Sequence, residues 1–434
     1  MQGNYNTMFV SLDIGKNVNW LGAYAGYELK PVIAPLKVRS DRSGLEQVTG
    51  YIDDWLNSGQ YERLVIGHEP TGVYHEGWAR ALAERYKAYR SGQQQPVVEY
   101  CFVNPLVSKR RREQLAKGRK RKTDPADLKA IAHCLRDGEA QAAFLPSREA
   151  LAFQLWAEAY RQNRRERWHL GIRLLSQLDR LWPGLVVNVK RFRQVHPELE
   201  APVPLVLSEP LQRQRLRVLL QHCPNPHHFR ALGPEGIQAF YRQHLGRCGS
   251  ALAKLAFQIV SQAVLPPADL AELLADQLQA DFERYLALEK HFEQLSQQAE
   301  QLVPASPAQV LTTIPGVSPV LAARYLAHLG HPQRFTQPEQ IWAFAGFDPV
   351  SQESGDFRRV GKISRKGEAA LRDTLYLIGF HTLQQIPALT QLHQRAKARG
   401  KGRVGAILHV AHKVNRLCHH LLYHQQPFDP KRLR

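Results

Sequence analysis

Apolar residues gather near the start of the chain in short stretches of two different periods. Met8-Phe9-Val10-Ser11-Leu12-Asp13-Ile14-Gly15 predicts a buried strand ending near a carboxylate, and Val18 to Tyr24 a partner returning antiparallel beside it. Helical spacing follows over Leu45 to Leu56. A second apolar strand, Arg63-Leu64-Val65-Ile66-Gly67-His68-Glu69, again carries an acid at its end. Glu76 to Tyr86 predicts a helix, and Val97 to Val103 a strand closed by Asn104-Pro105, because a residue before proline is held out of helical backbone. Strands alternating with helices predict an α/β layer over residues 1–145.

From Arg148 the period changes. Leu151, Leu155, Ala159, Leu170, Leu174, Leu178 and Leu181 recur at helical spacing until Trp182-Pro183-Gly184 stops them. Phe282, Leu286, Phe292, Leu295, Ala299 and Leu302 predict a second long amphipathic helix, suited to pair with the first as a stalk or dimerisation arm. Between them, residues 185–250 are rich in proline and histidine, and only Leu216 to Leu220 and Ile237 to His244 have helical spacing. From Pro304 the chain is helical with glycine-rich and basic interruptions. The expected order is an α/β domain over 1–145, a helical, coiled-coil region over 146–303 with an insertion near 190–280, and a mainly α domain over 304–434.

Charge adds a partner to this outline. The 434 residues carry 58 Lys+Arg against 39 Asp+Glu, a net charge of +19, while 44% hydrophobic residues are ordinary globular usage. The excess favours a polyanion, nucleic acid ahead of an anionic membrane. The start of the chain lacks a basic segment followed by an apolar run, and no uninterrupted apolar span of about 18 residues occurs. The five cysteines are scattered. These features lead us to expect a soluble cytoplasmic protein, associated with nucleic acid and not with membrane.

Asp13 and Glu69 stand at the ends of two predicted strands. Neighbouring strands lie about 4.8 Å apart, so these carboxylates can converge on one divalent cation. Asp124 and Asp127, in Thr123-Asp124-Pro125-Ala126-Asp127, share one face of a helix running toward Leu135. The same pattern also suits a cap, with Asp124 at the N-cap, Pro125 as the first helical residue and Asp127 as the capping-box acid. Immediately before them, Lys109, Arg110, Arg111, Arg112, Lys117, Arg119, Lys120, Arg121 and Lys122 place nine cations against one acid in fourteen residues, the composition of a nucleic-acid clamp or of a solvated loop.

In the last third, Ile314-Pro315-Gly316 has the form of a helix-hairpin-helix turn or of a plain interhelical turn. Glu353-Ser354-Gly355 is followed by Arg358, Arg359, Lys362, Arg365 and Lys366. A serine beside glycine among cations suits either a nucleophile presented to a phosphodiester or a turn. Arg395, Lys397, Arg399, Lys401 and Arg403 alternate with small residues in a further basic tract, suited to nucleic-acid backbone or to a solvated helix end.

Taken in order, Asp13, Glu69-Pro70-Thr71-Gly72-Val73-Tyr74, Asn104-Pro105 and Lys122-Thr123-Asp124-Pro125-Ala126-Asp127 resemble the RuvC-like domain of DEDD insertion-sequence transposases, the bridge-RNA-guided serine recombinases. Ile314-Pro315-Gly316, Ala343-Phe344-Ala345-Gly346, Glu353-Ser354-Gly355, Ser364-Arg365-Lys366-Gly367 and Leu371-Arg372 resemble that family's C-terminal transposase domain. The resemblance covers residues 8–185 and 280–430. Residues 190–280 look longer than in compact members, and Pro70 stands where alanine is usual. It implies a RuvC-like, RNase H type fold in which Asp13, Glu69, Asp124 and Asp127 hold one or two magnesium ions, with manganese as a substitute. It also implies that Ser354 is the nucleophile of a covalent phosphoserine step, in a site composed across domains. The implied partners are target and donor DNA, a structured bridge RNA and further copies of the chain, as dimer to tetramer.

Two other readings stay beside this one: a metal-dependent junction nuclease using water, and a non-catalytic nucleic-acid scaffold. Cys223, His227, His244 and Cys248 have a spacing zinc can use, which the histidine-rich background discounts. The seven tryptophans are expected in cores and helix packing rather than under bases.

Overall fold

The computed structural model describes the chain apart from residues 1–5, 117–122, 144, 146, 204, 206–208, 331–333, 355–356 and 434, and describes backbone alone over 349–354, 357–362 and 432–433. It divides into two compact units, Met1–Leu145 and Pro146–Arg434.

The first unit runs β1 (Thr7–Ile14), β2 (Val18–Ala25), β3 (Lys30–Pro31), β4 (Leu36–Arg39), α1 (Arg42–Asn57), β5 (Arg63–His68), α2 (Tyr74–Arg85), α3 (Lys87–Arg90), β6 (Val97–Phe102), α4 (Pro105–Leu115), α5 (Asp124–Arg136) and β7 (Gln141–Ala142). Seven strands form one sheet in the order β3-β2-β1-β5-β6-β7, with β4 also paired to β2. β1, β5 and β6 are parallel, whereas β2 runs against β1 and β7 against β6. This mixed sheet with its helices is consistent with an RNase H type fold.

Strand parity explains why β1 carries apolar residues on both of its faces. Met8, Val10, Leu12 and Ile14 pack with Ile52 and Trp55 of α1 and Trp78 and Leu82 of α2. Phe9, on the other face, packs with Val65, Cys101 and Ile131, Cys134 and Leu135 of α5. Alternate residues of a strand point to opposite faces, and both faces are covered. Gly67 of β5 faces α5: a Cβ there would lie 2.5 Å from Leu135 Cδ2, so the bare backbone lets α5 settle close to the sheet.

The second unit is built on two long helices, α6 (Arg148–Leu181) and, after α7 (Val189–Val195), α8 (Gln214–His222), α9 (Pro226–Ala231), α10 (Gly233–Leu245) and α11 (Ser250–Gln262), α12 (Ala268–Leu302). α6 and α12 lie antiparallel. Trp156 Nε1 donates to Leu295 O (2.8 Å), Asn163 Nδ2 to Leu288 O (3.1 Å) and Arg173 to Asp281 Oδ1 (2.8 Å), so partners fall along α12 as they rise along α6. At one end of the pair, Leu174, Leu178 and Phe282 share a core with Trp182, Phe229, Ile237 and Tyr241 of the intervening segment.

At the other end the core joins Trp156, Tyr160 and Leu295 to the C-terminal elements. These are α13 (Pro319–Leu329), α14 (Pro338–Phe344), β8 (Pro349–Ser354), β9 (Phe357–Ile363), α15 (Ala369–Gln385), α16 (Pro387–Ala398) and α17 (Arg403–His424). The stalk and the C-terminal helices are thus one compact unit, sharing a core that the helical periods alone leave separate. Ile314-Pro315-Gly316 follows a 3₁₀ turn, Pro307–Thr313, rather than an α-helix. Gly316 has φ +92° and a Cβ there would lie 2.8 Å from His381 O, so its bare backbone packs on α15. Of the tryptophans, Trp55, Trp78, Trp156 and Trp182 are buried, but Trp168 on α6 is exposed. Among the described residues no helix is long and apolar enough to cross a membrane.

Candidate functional site

The parallel pairing of β1 with β5 sets Leu12 opposite His68, so Asp13 and Glu69 follow at the same level on the C-terminal edge of the sheet. The ladder continues there, with Val103 N–H donating to His68 O (3.0 Å). Parity carries Asp13 with Phe9, and Glu69 with Val65 and Gly67, onto the face that α5 covers. Edges of this kind, at the carboxyl ends of parallel strands, are where open α/β sheets bind ligands.

The helix α5 brings the other two acids. Its N-cap is Thr123, so Asp124 and Pro125 are already helical; of the cap assignments open in the sequence, Asp124 as N-cap does not hold. Both acids lie in the first turn, where the helix dipole favours negative charge. Asp124 is exposed and Asp127 buried. Asp127 is paired with Arg112 of α4, and Glu69 Oε1 accepts from Ser108 Oγ (2.5 Å), Ser108 being the one buried residue of that helix. α4 is seated by Asn104, whose Oδ1 accepts from Leu106 N–H (2.9 Å), with Pro105 in its first turn.

Among the described residues no three His, Cys, Asp or Glu side chains are grouped to hold a metal ion. The donor set is nevertheless the chemistry a hard divalent cation takes, carboxylate oxygens on one sheet edge and one helix end. The Arg112 guanidinium provides the positive charge at Asp127. In donor type the residues fit a divalent cation, and Asp127 would have to part from Arg112 to join them.

On the other face of the same edge lies a histidine that sequence reading passed over. His68 is fully buried, its Nδ1–H donating to Glu69 O (3.0 Å) and its Nε2 accepting from Tyr100 O–H (2.7 Å). Burial, with the neighbouring His75 adding to it, pushes its pKa down to about 4, against the pull of the Glu69 carbonyl. It is a neutral strut under Glu69. Its signal in the sequence is a polar residue at a core-facing position of an apolar strand.

The basic residues divide by engagement. Lys109 and Arg110 are exposed. Arg111 turns inward to Asp137 (3.0 Å) and Glu139 (2.7 Å), and Arg112 to Asp127, so these two brace the domain in this arrangement. Lys117, Arg119, Lys120, Arg121 and Lys122 lie outside the described residues. Arg395, Lys397, Arg399, Lys401 and Arg403 are all exposed about the turn between α16 and α17.

Ser354 ends β8, paired through the backbone with Phe357 of β9, while Gly355 and Asp356 lie outside the described residues. The side chains of Ser354, Arg358, Arg359 and Lys362 are also outside the description. The motifs flanking this hairpin touch one another at its root. Ser364 Oγ donates to Asp348 Oδ1 (2.6 Å), Arg365 N–H to Gly346 O (3.0 Å), Glu368 N–H to Phe344 O (2.8 Å) and Arg372 Nη1 to Ala345 O (2.8 Å). A Cβ on Gly367 would lie 2.4 Å from Phe344 O, so glycine is what allows the closeness. Arg365 and Lys366 stand exposed on this brace.

The zinc spacing is occupied by ordinary contacts. His227 bonds Pro266 O (2.8 Å), His244 stacks on His222 with ring centroids 4.0 Å apart, and Cys248 Sγ donates to Gly249 O (3.5 Å).

Comparison with known proteins finds two family models on this chain. Residues 10–183 match a DEDD transposase model of IS110 type, and residues 308–394 match the transposase IS116/IS110/IS902 family. A mini-circle protein of Streptomyces coelicolor, whose name assigns it to transposition of IS117, is 26% identical over 340 residues, 76% of this chain and 77% of its own. An uncharacterised protein of insertion element IS110 from the same organism is 28% identical over 224 residues, covering 50% of this chain and 53% of that one. A pilin gene-inverting protein of Moraxella bovis is 24% identical over 145 residues, 32% and 45% of the respective chains.

Proposed function

We propose, on the premise that the chain is a DEDD-type transposase of the IS110/IS116 family, that it cuts, exchanges and rejoins DNA through a covalent bond to Ser354. The observation that carries this reading is the level placement of Asp13 and Glu69 on adjacent parallel strands, facing the helix that begins with Asp124 and Asp127.

In this reading Asp13, Glu69, Asp124 and Asp127 hold magnesium, or manganese in its place. These residues would hold the cation, which would supply charge neutralisation at the scissile phosphate and favour ionisation of the serine hydroxyl. Ser108 orients Glu69, and Arg112 keeps Asp127 compensated until the site is loaded. Ser354 Oγ attacks the phosphorus and the bond to the 3′-oxygen breaks; a 5′-phosphoserine forms, and the serine's proton is balanced by the one the leaving oxygen takes up to become a 3′-hydroxyl. The 3′-hydroxyl of a second strand then attacks the same phosphorus and releases the serine. A hydroxyl is a weak nucleophile at its free pKa, which is why the acids and the serine must work together. The acids belong to the first unit and Ser354 to the second, and in this reading the protein acts as a dimer or tetramer. Exposed Lys109, Arg110, Arg365, Lys366 and the Arg395 to Arg403 tract bind target and donor DNA and a structured guide RNA, the RNA choosing sequence by base pairing. The setting is the cytoplasm.

Cleavage of flanking DNA by the full chain, by Ser354→Ala and by Asp13→Ala tests this. Loss of cutting in both variants supports the serine mechanism. Cutting retained in Ser354→Ala replaces it with hydrolysis by water.

A further inference from the structure

Both family models leave residues 184–307 uncovered, and that segment carries a charged pocket of its own. It lies among α8, α10 and α11, with a volume of about 1110 Å³. That is above the roughly 300–1,000 Å³ of small-molecule sites, so its form suits an extended occupant. Arg213, Arg215, Arg242 and Arg247 line it, and among the described lining residues none is acidic.

Two further features point to an anion. The first turn of α11 opens at Gly249, itself in the lining, which has no side chain to cap the helix; amide donors and the positive end of the dipole are therefore directed there. Tyr241, also in the lining, is fully buried, and its hydroxyl has no hydrogen-bond partner among the described residues. An unpaired buried hydroxyl costs about 1–3 kcal/mol, a cost an incoming acceptor removes.

We propose that this pocket binds a nucleic-acid strand by its phosphodiester backbone, several phosphates at once, the arginines forming the charged wall and Tyr241 donating to a phosphate oxygen. Arginine geometry suits such bidentate contacts. The inference rests on the transposase reading only for which nucleic acid arrives. The chemistry is shared by RNA and DNA, and the experiment separates them.

The full chain and the triple variant Arg215→Ser/Arg242→Ser/Arg247→Ser are titrated with an RNA hairpin and with a DNA duplex of matched length, across a series of salt concentrations. Each lost phosphate contact lowers the slope of log affinity against log salt by about 0.9 on duplex DNA and about 0.7 on single strands. The expected result is a slope lower by about 2 to 3, one contact for each arginine removed, and binding weaker by roughly tenfold or more. A drop on RNA alone assigns the pocket to RNA, on DNA alone to DNA, and on both to backbone in general. An unchanged slope on both probes overturns the proposal. Circular dichroism checks the fold of the triple variant. If it is misfolded, Tyr241→Phe decides: several-fold weaker binding supports the site, and unchanged binding overturns it. Ser354→Ala, which tests the recombination chemistry, leaves these slopes at the wild-type value, so the two readings fail separately.

Discussion

Arg112→Ala tests how the acidic edge is held together. The Arg112 and Asp127 side chains are 17% and 8% exposed, so the substitution leaves a carboxylate with little access to water and no counter-charge. Breaking a buried pair by removing one partner costs about 3–5 kcal/mol. Partial exposure of Arg112 argues for the lower end, about 3 kcal/mol. The double variant Arg112→Ala/Asp127→Asn removes both charges and should return to within about 1 kcal/mol of the native protein. A single unfolding midpoint is poorly defined for a chain of two units, so the measurement is hydrogen exchange of α5 peptides. About 3 kcal/mol appears as roughly 100-fold faster exchange, because 1.4 kcal/mol is a factor of ten. Added magnesium should restore protection in Arg112→Ala by supplying the missing positive charge. Native exchange rates in Arg112→Ala would refute the pairing argument. Fast exchange that magnesium leaves untouched would refute Asp127 as a ligand.

Three further outcomes follow from the packing. His68 is neutral in the fold with its pKa down at about 4, whereas an unfolded histidine titrates near 6.5; its contribution is therefore complete above about pH 6.5 and lost as pH falls toward 4, by about 3 kcal/mol in all. Exchange of β5 and β6 amides across that range should show this slope, and His68→Phe should flatten it. Gly67→Ala forces a methyl against Leu135 and should destabilise the contact between β5 and α5 by about 1–3 kcal/mol, read as faster exchange in both elements. Gly316→Ala meets both a left-handed φ and the His381 carbonyl, so a loss of about 2 kcal/mol or more is expected, read as faster hydrogen exchange in α15.

Sequence pattern made the central strands and their acids legible, because buried parallel strands need unbroken apolar runs and a carboxylate closing one stands out. The bounds fell within a residue or two: β1 covers Thr7–Ile14 and β5 covers Arg63–His68. Of the two long helices, α6 was equally legible from its period, whereas α12 was read only from Phe282 although it begins at Ala268. α4 was not, since of its eleven residues only Ser108 is buried and its cations read as a loop or clamp. Its partnership with α5, which pairs Arg112 with Asp127, is a tertiary fact with no local signature. The hairpin β8–β9 was missed because Glu353, Ser354, Arg358 and Arg359 show no apolar alternation. The motifs at its root were visible as motifs. That Ser364, Arg365, Glu368 and Arg372 brace Phe344, Ala345, Gly346 and Asp348 required the fold.

The most direct test of the recombination account is to incubate the full chain with its native flanking DNA, the guide RNA that the account proposes and magnesium, resolve the mixture on a denaturing gel, and map any protein–DNA bond by mass spectrometry. The account predicts a covalent adduct at Ser354, absent from Ser354→Ala and from Asp13→Ala. Cleaved DNA with no adduct, or an adduct on another residue, would contradict it.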